Sequence, residues 1–282
     1  MKKESSRLKI LVTGSSGFIG KHLTKRLNDY DIIKDDKTNI EFFKKKGKKS
    51  PNIDVIIHLG GKTPYSKKLR FIDFLDANLK STLQVLDFCI ENKIKKLIFV
   101  SSYVYGKPTM RKVNELQHIT PHSPYTMSKF LAEQVCEFYS RTYGLNVIIL
   151  RPFNIFGREQ KKGFIIPNLI NAAKTGKKIV MINKKSKRDF LYVDDFVDLI
   201  EKLIKIDLKN EVFNVGCGKS YSFEQIIKKI ENITNKKIKV KYLNDPSILI
   251  PDIVADISKI RKKTGWIPKM SFDDGLKILL NS

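Results

Sequence analysis

A tyrosine and a lysine four residues apart are the first residues whose types and spacing could do chemistry. Tyr125 and Lys129 lie in SPYTMSKFLAEQ (123–134), where apolar residues recur at helical intervals. Residues four positions apart share one face of a helix, so the phenol and the ammonium would lie side by side. A nearby ammonium lowers the pKa of a tyrosine below its usual value of about 10. The pair could exchange a proton with a substrate hydroxyl, although an exposed pair on an amphipathic helix would show the same spacing.

Three glycines after the first apolar run of the chain indicate a nucleotide-binding loop. The sequence LVTGSSGFIGKHL places Gly14, Gly17 and Gly20 between a predicted strand and a predicted helix. A pyrophosphate must approach the unpaired N–H groups of a helix N-terminus closely, and side chains on the loop would block it. The order of strand, glycine loop and helix therefore predicts dinucleotide binding rather than an ordinary turn.

A carboxylate at the end of the second strand is expected to bind the ribose of such a dinucleotide, about twenty residues after the glycines. Asp35 and Asp36 stand at that point, and the register of the strand favours Asp36. A carboxylate there accepts hydrogen bonds from ribose hydroxyls and repels a 2′-phosphate, which favours NAD over NADP. Because Lys34 and Lys37 flank the two acids, NADP stays open.

The elements that position these residues alternate between strand and helix through the first half of the chain. Apolar runs predict strands at 8–14, 30–36, 52–61, 96–102 and the start of 146–157. Helical spacing of apolar residues predicts helices at 18–27, 71–92 and 123–143. Continuous apolar strands that alternate with helices predict a doubly wound parallel sheet covered on both faces.

The pattern changes after Gly157. A helix is predicted at 164–176 and a short strand at 177–183; 188–204 is predicted to run from a turn into a helix, and 211–230 to be strand, glycine turn and helix. We therefore predict an α/β protein with a Rossmann-type domain over 1–157. A smaller α/β lobe over 158–282 would bind mainly the substrate, with some segments crossing back and the site between the two.

Composition limits the classes of protein that the chain could belong to. The 282 residues are 41% hydrophobic, as in globular proteins, and no run of about 18 apolar residues predicts a membrane span. The N-terminus lacks the apolar stretch of a secretion signal. Three scattered cysteines and four histidines without ligand spacing predict a cytoplasmic protein with neither disulfides nor a metal. His58, inside a strand, is expected to be structural.

The net charge of +25 allows two interpretations. A basic protein could bind nucleic acid, but the lysines are scattered from end to end without interleaved aromatic residues. A lysine-rich compositional bias is therefore the favoured interpretation, and no specific nucleic-acid partner is expected. The surplus positive charge would help to attract an anionic substrate that carries phosphate.

Nine segments in register resemble one family, the extended short-chain dehydrogenases/reductases, in their nucleotide-sugar epimerase/dehydratase group. The segments are TGSSGFIG (13–20), DVIIHLGG (54–61), DANLKST (76–82), FVSSYVYG (99–106), PYTMSK (124–129), RPFNIFG (151–157), RDFLYVDD (188–195), FNVGCGKSYS (213–222) and TGWIP (264–268). Together they cover nearly the whole chain. The tail over 218–266 resembles GDP-sugar dehydratases and 4-ketoreductases.

The resemblance implies a set of roles around a bound NAD. Tyr125 would be the catalytic acid and base, and Lys129 would also hold the nicotinamide ribose. Further cofactor contacts are implied for Phe18, Ile19, Asp36, Leu59, Gly60 and Asn78, beside the three glycines. The implied substrate contacts are Ser102, Tyr103, Asn154 and Arg188, with Ile179–Ile182 flanking the nucleotide base. An arginine suits a diphosphate because it donates two hydrogen bonds in a fixed geometry.

A hydroxyl at the end of the strand KLIFVSS completes the implied catalytic set. It would hydrogen-bond the reacting oxygen and stabilise its developing charge. Counting back from Tyr105 and Gly106 selects Ser101, whereas counting along the strand selects Ser102. We prefer Ser101, and a capping role remains the alternative for either serine.

The chain departs from the family pattern in four places. The segment 37–53 is short for the further strand whose end contacts adenine, which leaves adenine recognition open. No acid follows Ser101, which argues against 4,6-dehydration. Tyr103 stands where bifunctional fucose synthases have a cysteine, which argues against 3,5-epimerisation. The arginine expected in NDPSILIPD is absent, with Ile248 and Ile250 nearby, so fewer or different cations would hold the diphosphate.

These observations predict NAD(P)-dependent hydride transfer at C4 of a nucleotide-activated sugar. The tail favours a 4-ketoreductase or 4-dehydrogenase acting on a GDP-sugar, and the motif set alone favours a 4-epimerase with tightly bound NAD. The alternative from another class is a non-catalytic regulator that binds a dinucleotide. The resemblance also implies a homodimer, in which 71–92 and 123–143 pair into a four-helix bundle.

Overall fold

A sheet with parallel strands and flanking helices forms the frame of the first of two units in this chain. The computed structural model describes residues 7–36, 52–64, 69–108, 110–184, 186–243 and 252–281. The first unit comprises 1–104, 121–151 and 197–213, and the second comprises 105–120, 152–196 and 214–282. The residues predicted to react and all of those predicted to bind the dinucleotide belong to the first unit.

The described residues form thirteen strands and eight helices. The strands are β1 (Lys9–Thr13), β2 (Asp31–Asp35), β3 (Val55–His58), β4 (Lys96–Val100), β5 (Lys112–Val113), β6 (Asn146–Pro152), β7 (Asn154–Phe156), β8 (Ile179–Ile182), β9 (Lys187–Tyr192), β10 (Glu211–Val215), β11 (Ser220–Ser222), β12 (Val240–Leu243) and β13 (Val254–Ala255). The helices are α1 (Phe18–Arg26), α2 (Phe71–Phe74 continued by Leu75–Lys80 and Ser81–Glu91), α3 (Pro124–Tyr143), α4 (Ile165–Thr175), α5 (Val193–Lys205), α6 (Phe223–Thr234), α7 (Ser258–Thr264) and α8 (Phe272–Leu280).

The main sheet has the order β10-β6-β4-β3-β1-β2, and its strands from β6 to β2 pair in parallel. The chain leaves β1 for β2 on one side and then crosses to β3 on the other. In such sheets ligands bind beyond the carboxyl ends of the strands, where the direction of winding reverses. That point lies between β1 and β3, where the glycine loop begins. The predicted doubly wound parallel sheet is confirmed, and β2 is its edge among the described residues.

The strands form because their apolar runs are covered on both faces. Ile10, Leu11 and Val12 are fully buried, as are Ile56 and Ile57 in β3. Side chains of β3, β4 and β6 on one face pack with those of α2 and α3 in a single hydrophobic cluster. Parallel sheets need such cover, because neither face can be left to water. The carboxyl ends of the strands are thereby held rigidly in register.

Helix α2 contains a π-helical segment over Leu75–Lys80. Just after it, the hydroxyls of Ser81 and Thr82 donate to the carbonyls of Ala77 and Asn78 at 2.6 Å each. Hydroxyls that bond to the preceding turn loosen regular helical geometry, and π-bulges are frequent at functional sites. The segment presents Asn78 toward the loop after β3, where the resemblance implies a cofactor contact.

Helix α3 starts with a full capping arrangement. The Ser123 hydroxyl accepts from the Thr126 amide at 3.2 Å, while the Ser123 amide donates to the Thr126 hydroxyl at 3.0 Å. Pro124 occupies the first helical position, where its missing N–H is not needed. This cap fixes Tyr125 in the first turn and Lys129 in the second. The helix ends at Gly144, whose φ of +72° favours glycine.

The second unit contains a three-stranded sheet in the order β11-β9-β7, with β9 antiparallel to β11 and parallel to β7. Two further strand pairs, β12 with β8 and β13 with β5, are parallel. An aromatic cluster fills its core; the ring centroid of Phe156 lies 5.4 Å from that of Tyr192 and 5.1 Å from that of Phe272. This unit is α/β, as predicted for the smaller lobe.

The prediction of a turn at the start of 188–204 is wrong. Residues Lys187–Tyr192 form strand β9, and the helix begins directly after it at Val193. The strand gives no apolar pattern at its start, because Arg188 and Asp189 are charged. Asp189 is nevertheless fully buried, because its carboxylate accepts from the amides of Cys217, Gly218 and Ala255. Those partners lie within 217–255, so the local sequence around Asp189 could not indicate them.

Candidate active site

The phenol and the ammonium that opened the sequence analysis lie on consecutive turns of α3. Tyr125 is half-buried, and its ring meets the Phe74 ring edge-on, with 6.0 Å between the centroids. Lys129 is only 5% exposed. Its Nζ lies 4.4 Å from the centroid of the Phe99 ring. The pair is therefore not an exposed one on an amphipathic helix. Burial of an ammonium costs free energy unless the charge has a partner.

Burial is the main influence on the charge of Lys129. Desolvation lowers the pKa of its ammonium from 10.5 to about 8, with Cys136 and Glu133 acting in the opposite direction. Glu133 lies one turn further along α3 and is fully buried. Its carboxylate binds the Arg151 guanidinium, with Nη2 to Oε2 at 2.6 Å and Nε to Oε1 at 3.1 Å. The ammonium therefore stays charged at neutral pH without an ion pair to a described residue.

Ser101 stands directly after β4 and is the serine with the features of a catalytic hydroxyl. Its amide donates to the Leu150 carbonyl at 2.8 Å, which fixes its backbone to β6. Its side-chain oxygen is buried and has no hydrogen-bond partner among the described residues. A buried hydroxyl without a partner costs free energy, so such a group is typical of a binding site. Ser102 is half-buried, and the geometry supports the preference for Ser101 over Ser102.

The glycine loop has the shape that a pyrophosphate needs. Gly14 has a φ of +69°, and a side chain there would lie 2.9 Å from the Gly60 amide nitrogen. A Cβ on Gly20 would overlap the Gly14 carbonyl oxygen. Gly17 is the N-cap of α1 and supplies no side-chain hydrogen bond. The first amides of α1, including those of Phe18 and Ile19, therefore receive no side-chain cap from Gly17. The helix dipole favours an anion at this position.

Asp36 follows β2 and turns its carboxylate onto the glycine loop. It accepts from the Ser15 hydroxyl, and from the Ser16 amide at 2.8 Å. The Ser15 hydrogen bond holds the pKa of Asp36 below its usual value, so the carboxylate is ionised at neutral pH. The neighbouring Asp35 contributes its carbonyl to the Gly14 amide at 2.7 Å. The geometry thus supports Asp36 as the ribose ligand that the register of the strand favours.

The loop after β3 lies beside the end of β1. The Leu59 amide donates to the Thr13 carbonyl, and the Gly60 amide donates to the Thr13 hydroxyl, each at 3.2 Å. Asn78 reaches the same loop, where its Oδ1 accepts from the Lys62 amide at 2.8 Å. Its Nδ2 donates to the Ser128 hydroxyl at 2.9 Å. Asn78 therefore ties the loop to the first turns of α3, in addition to any contact with a cofactor.

The predicted substrate residues are divided between the two units. Ser102 and Tyr103 follow Ser101 in the first unit. Asn154 and Arg188 belong to the second unit, where Asn154 Nδ2 donates to the Asp189 carbonyl at 2.9 Å. Arg188 lies on β9 with its guanidinium 5.8 Å from the centroid of the Phe223 ring. Both side chains are half-buried, as is expected of residues at a ligand site.

The remaining sequence predictions concern strand β8, the tail and the segment after β2. Ile179–Ile182 form β8, in which Val180 and Ile182 are exposed, as residues that flank a base would be. Ile248 and Ile250 lie outside the described residues, as does most of the short segment 37–53. Within the described ranges, no group of acidic, histidine or cysteine side chains could hold a metal ion. In those same ranges no helix has the length and hydropathy to cross a membrane.

Sequence reasoning missed Phe99 and Glu133, which lie near Lys129, and Arg151, which binds Glu133. The spacing of Glu133 four positions after Lys129 was a possible signal, since the two residues share a face of α3. Arg151 and Phe99 gave no signal, because their proximity depends on how β4 and β6 pack against α3. His58, expected to be structural, is fully buried and neutral, since burial lowers its pKa to about 3.

The residues at this edge of the sheet fit a dinucleotide. The glycine loop leaves room against an uncapped helix start, and Asp36 stands beside it with a carboxylate suited to a ribose. The buried Ser101 hydroxyl and the Lys129 ammonium follow at β4 and α3, and both need polar partners. The carboxyl ends of β1, β3 and β4 are neighbours in a parallel sheet, so these groups share one edge.

Comparison with known proteins gives matches along nearly the whole chain. Residues 10–216 match the NAD dependent epimerase/dehydratase family. A putative UDP-glucose 4-epimerase of Methanocaldococcus jannaschii is 29% identical, over 96% of this chain and 97% of the relative. A GDP-6-deoxy-D-talose 4-dehydrogenase of Aggregatibacter actinomycetemcomitans is 30% identical, over 92% of each chain.

Solved structures share the fold as well. The UDP-glucuronic acid 4-epimerase of Bacillus cereus, in complex with UDP-glucuronic acid and NAD, superposes with a TM-score of 0.86. The two chains are 26% identical, and the superposition covers 97% of this chain and 98% of the other. The similarity therefore includes both units.

Proposed function

The chain belongs to the NAD-dependent epimerase/dehydratase family, and from this membership we propose that it transfers a hydride between NAD and C4 of a nucleotide-activated sugar. The family predicted from the nine sequence segments is confirmed. It is a family of enzymes, which argues against a non-catalytic regulator. The observation that carries the proposal is the set of Ser101, Tyr125 and Lys129 in one unit, with a buried ammonium and a buried serine hydroxyl that has no partner among the described residues.

Each of the three side chains has one task in this proposal. Tyr125 takes the proton of the sugar 4-hydroxyl during oxidation and returns it during reduction. Lys129 favours the phenolate through its positive charge and donates to the nicotinamide ribose. Ser101 donates to the sugar O4 and steadies the charge that develops there. NAD, when bound, supplies the hydride acceptor, and the reduced form supplies the donor.

The glycine loop and Asp36 would bind two adjoining parts of the dinucleotide. The amides at the start of α1 would bind the pyrophosphate, and the Asp36 carboxylate would bind a ribose. An ionised carboxylate at that position repels a 2′-phosphate, which supports NAD over NADP. For the substrate, Arg188 would donate to the diphosphate, and Asn154, Ser102 and Tyr103 would contact the sugar nucleotide.

Two outcomes of C4 chemistry are proposed, each with its own support. A 4-ketoreductase or 4-dehydrogenase acting on a GDP-sugar is supported by the tail of the sequence. The relative named as a GDP-6-deoxy-D-talose 4-dehydrogenase points the same way. A 4-epimerase is supported by the relatives named as UDP-glucose and UDP-glucuronic acid 4-epimerases. An epimerase returns the hydride to the opposite face of the sugar and keeps its cofactor, whereas the other enzymes exchange it.

The fate of the cofactor is the first test of these outcomes. Mass spectrometry of the small molecules released from freshly purified, denatured protein would show whether NAD is retained. Stoichiometric NAD would support the epimerase. A protein that releases none, and gains thermal stability only with added NAD(H), would support the reductase or dehydrogenase. Tyr125→Phe should abolish turnover of GDP- and UDP-hexoses while leaving NAD binding intact; turnover near the wild-type rate would refute the acid–base role.

The homodimer implied by the resemblance stays a prediction. Helices α2 and α3 expose large apolar side chains, which are Phe71, Ile72, Phe138 and Tyr143. Pairing of these helices across a twofold axis would bury them in a four-helix bundle. Light scattering after size-exclusion chromatography should give the mass of a dimer, and Phe138→Asp should shift the mass toward that of a monomer. A wild-type monomer at micromolar concentration would contradict the prediction.

A further inference from the structure

We propose that Phe99 is a positioning residue of the reaction: its ring face seats the Lys129 ammonium, and the fixed imidazole of His58 holds that ring in place. The inference rests on the proposed function, because it assigns a task to the surroundings of Lys129. All three residues lie in the first unit. Phe99 is assigned no contact with substrate or cofactor, so it would act only through Lys129.

The ring of Phe99 is the contact that the structure gives to the Lys129 ammonium. The distance of 4.4 Å from Nζ to the ring centroid lies well inside the range of cation–π attraction. Lys129 forms no hydrogen bond or ion pair with the rest of the described chain. Such an attraction is strongest where water is excluded, and Lys129 and Phe99 are both buried.

A nearby carboxylate exists but is already bound to another cation. Glu133 is fully buried and receives three hydrogen bonds from the Arg151 guanidinium, at 2.6 to 3.1 Å. This pair occupies both carboxylate oxygens, and Glu133 forms no hydrogen bond with the ammonium among the described contacts. The distinction matters because a carboxylate on Lys129 would occupy its donors and cancel its charge at Tyr125. An aromatic face stabilises the cation while leaving its N–H groups available for ribose and phenolate oxygens.

His58 stacks on the same ring and is fixed by a hydrogen-bond chain with one direction. The Thr13 hydroxyl lies 2.6 Å from His58 Nδ1 and accepts from the Gly60 amide at 3.2 Å. The Thr82 proton goes to the Asn78 carbonyl at 2.6 Å, so Thr82 Oγ1 accepts from His58 Nε2 at 3.1 Å. These contacts assign the neutral tautomer with its proton on Nε2.

The register of the sheet explains why this row of contacts leads to Lys129. Thr13, His58 and Phe99 are lateral neighbours on β1, β3 and β4. The imidazole and the Phe99 ring are nearly parallel, at 28° with 5.7 Å between centroids. One row across the sheet thus connects the end of β1, where the glycine loop starts, to the proposed catalytic lysine. The row would keep the ammonium at a fixed place relative to the dinucleotide.

The titratable groups around Lys129 come from three elements. They are Tyr125, Glu133 and Cys136 on α3, His58 on β3 and Arg151 on β6. Burial raises the pKa of the Cys136 thiol well above its usual value, and burial with the Lys129 charge keeps His58 neutral. Neither of them changes charge in the folded protein between pH 6 and 9, so a transition in that range that Lys129→Met removes is assigned to the Lys129 ammonium.

The test replaces the ring with a somewhat smaller side chain that is still apolar. Phe99→Leu removes the aromatic face, and Phe88→Leu makes the same change on α2, in the same hydrophobic cluster. The first readout is the pH dependence of unfolding of the apo-protein, with Lys129→Met in each background to isolate the lysine. The Lys129 transition is the pH at which Lys129 of the folded protein loses its proton. Loss of the cation–π contact should lower it by about 0.5–1.5 pH units. Phe88→Leu should leave it unchanged.

A second readout follows the affinity for NADH across the same pH range. Affinity should fall as the ammonium loses its proton, and in Phe99→Leu this fall should occur at lower pH than in wild type. An unchanged transition in both readouts would overturn the proposal. If the protein bound NADH but turned over no nucleotide sugar, the proposed function would fail while these readouts still decided the role of Phe99.

Fluorinated phenylalanines at position 99 keep the test decisive if Phe99→Leu does not fold. Fluorine changes the size of the ring little and weakens the negative potential of its face. The transition should therefore move to lower pH as fluorine atoms are added at position 99, and stay constant when they are added at position 88. A transition that is constant in both series would refute a cation–π seat.

Discussion

Replacing Lys129 by methionine should stabilise the protein while abolishing its activity. Lys129 is only 5% exposed, and desolvation lowers the pKa of its ammonium from 10.5 to about 8. That difference corresponds to roughly 3 kcal/mol of unfolding free energy. Methionine keeps most of the unbranched stem and removes the charge, so Lys129→Met should gain up to about 3 kcal/mol at pH 7, or roughly 5–10 °C in Tm.

The gain should depend on pH in a direction that the lowered pKa fixes. Between about pH 8 and 10.5 the unfolded state binds a proton at this lysine and the folded state does not. Stability of the wild-type protein therefore rises with pH in that window. As pH falls through about 8, this gain is lost, because the buried lysine becomes charged in the folded state as well. The advantage of Lys129→Met should accordingly be largest below pH 8 and shrink toward pH 10.5.

Urea unfolding of the apo-protein, followed by circular dichroism at several pH values, measures this difference. Lys25→Met is the matched control, because Lys25 is exposed on α1 of the same unit. The control should change stability by less than about 0.5 kcal/mol. If Lys129→Met were less stable than wild type at pH 7, or if its advantage were the same at pH 7 and pH 10, the reasoning on the buried ammonium would be refuted.

Three further variants test other parts of the site. Ser101→Ala should lower kcat by about 10²–10³ without loss of Tm, because its buried hydroxyl has no partner among the described residues; a normal kcat would move the role to Ser102. Gly20→Ala should weaken NAD binding and lower Tm, since its Cβ would overlap the Gly14 carbonyl, whereas calorimetry on Gly144→Ala should show normal NAD affinity because nothing lies within 4 Å of that Cβ. Arg151→Met should destabilise by about 3–5 kcal/mol by leaving Glu133 buried and unpaired, and adding Glu133→Gln should recover part of the loss in denaturant unfolding; equal stability of both variants would contradict a buried ion pair.

The parts of the site that could be predicted from the sequence are those in which chemistry and spacing are local. The glycine loop is contained within eight residues between a strand and a helix, and Tyr125 and Lys129 lie within one helix. Each pattern specifies its own geometry, so the doubly wound sheet and the carboxyl edge that carries the site could be anticipated. Ser101 required a choice between two adjacent serines, and only burial distinguishes them in the structure.

The parts that could not be predicted depend on contacts between distant segments. The sequence pattern predicts a turn at the start of strand β9 because Asp189 is polar. The three amides that donate to Asp189 lie 28 to 66 residues away. The seat of Lys129 depends on strand register, which brings Thr13, His58 and Phe99 into one row. The Glu133–Arg151 pair similarly joins α3 to β6. A local pattern shows a charged or apolar residue at these positions but not its partner.

The most direct test of the central claim is to follow deuterium from C4 of the sugar. GDP- and UDP-hexoses labelled at C4 would be incubated with the protein and NAD, and the label in sugar, cofactor and water would be measured by mass spectrometry. Hydride transfer predicts that the label moves to the nicotinamide or stays at C4 of the 4-epimer, with none released to water. It also predicts that Tyr125→Phe stops the movement. Turnover that releases the C4 label to water would contradict hydride transfer to NAD and the account built on it.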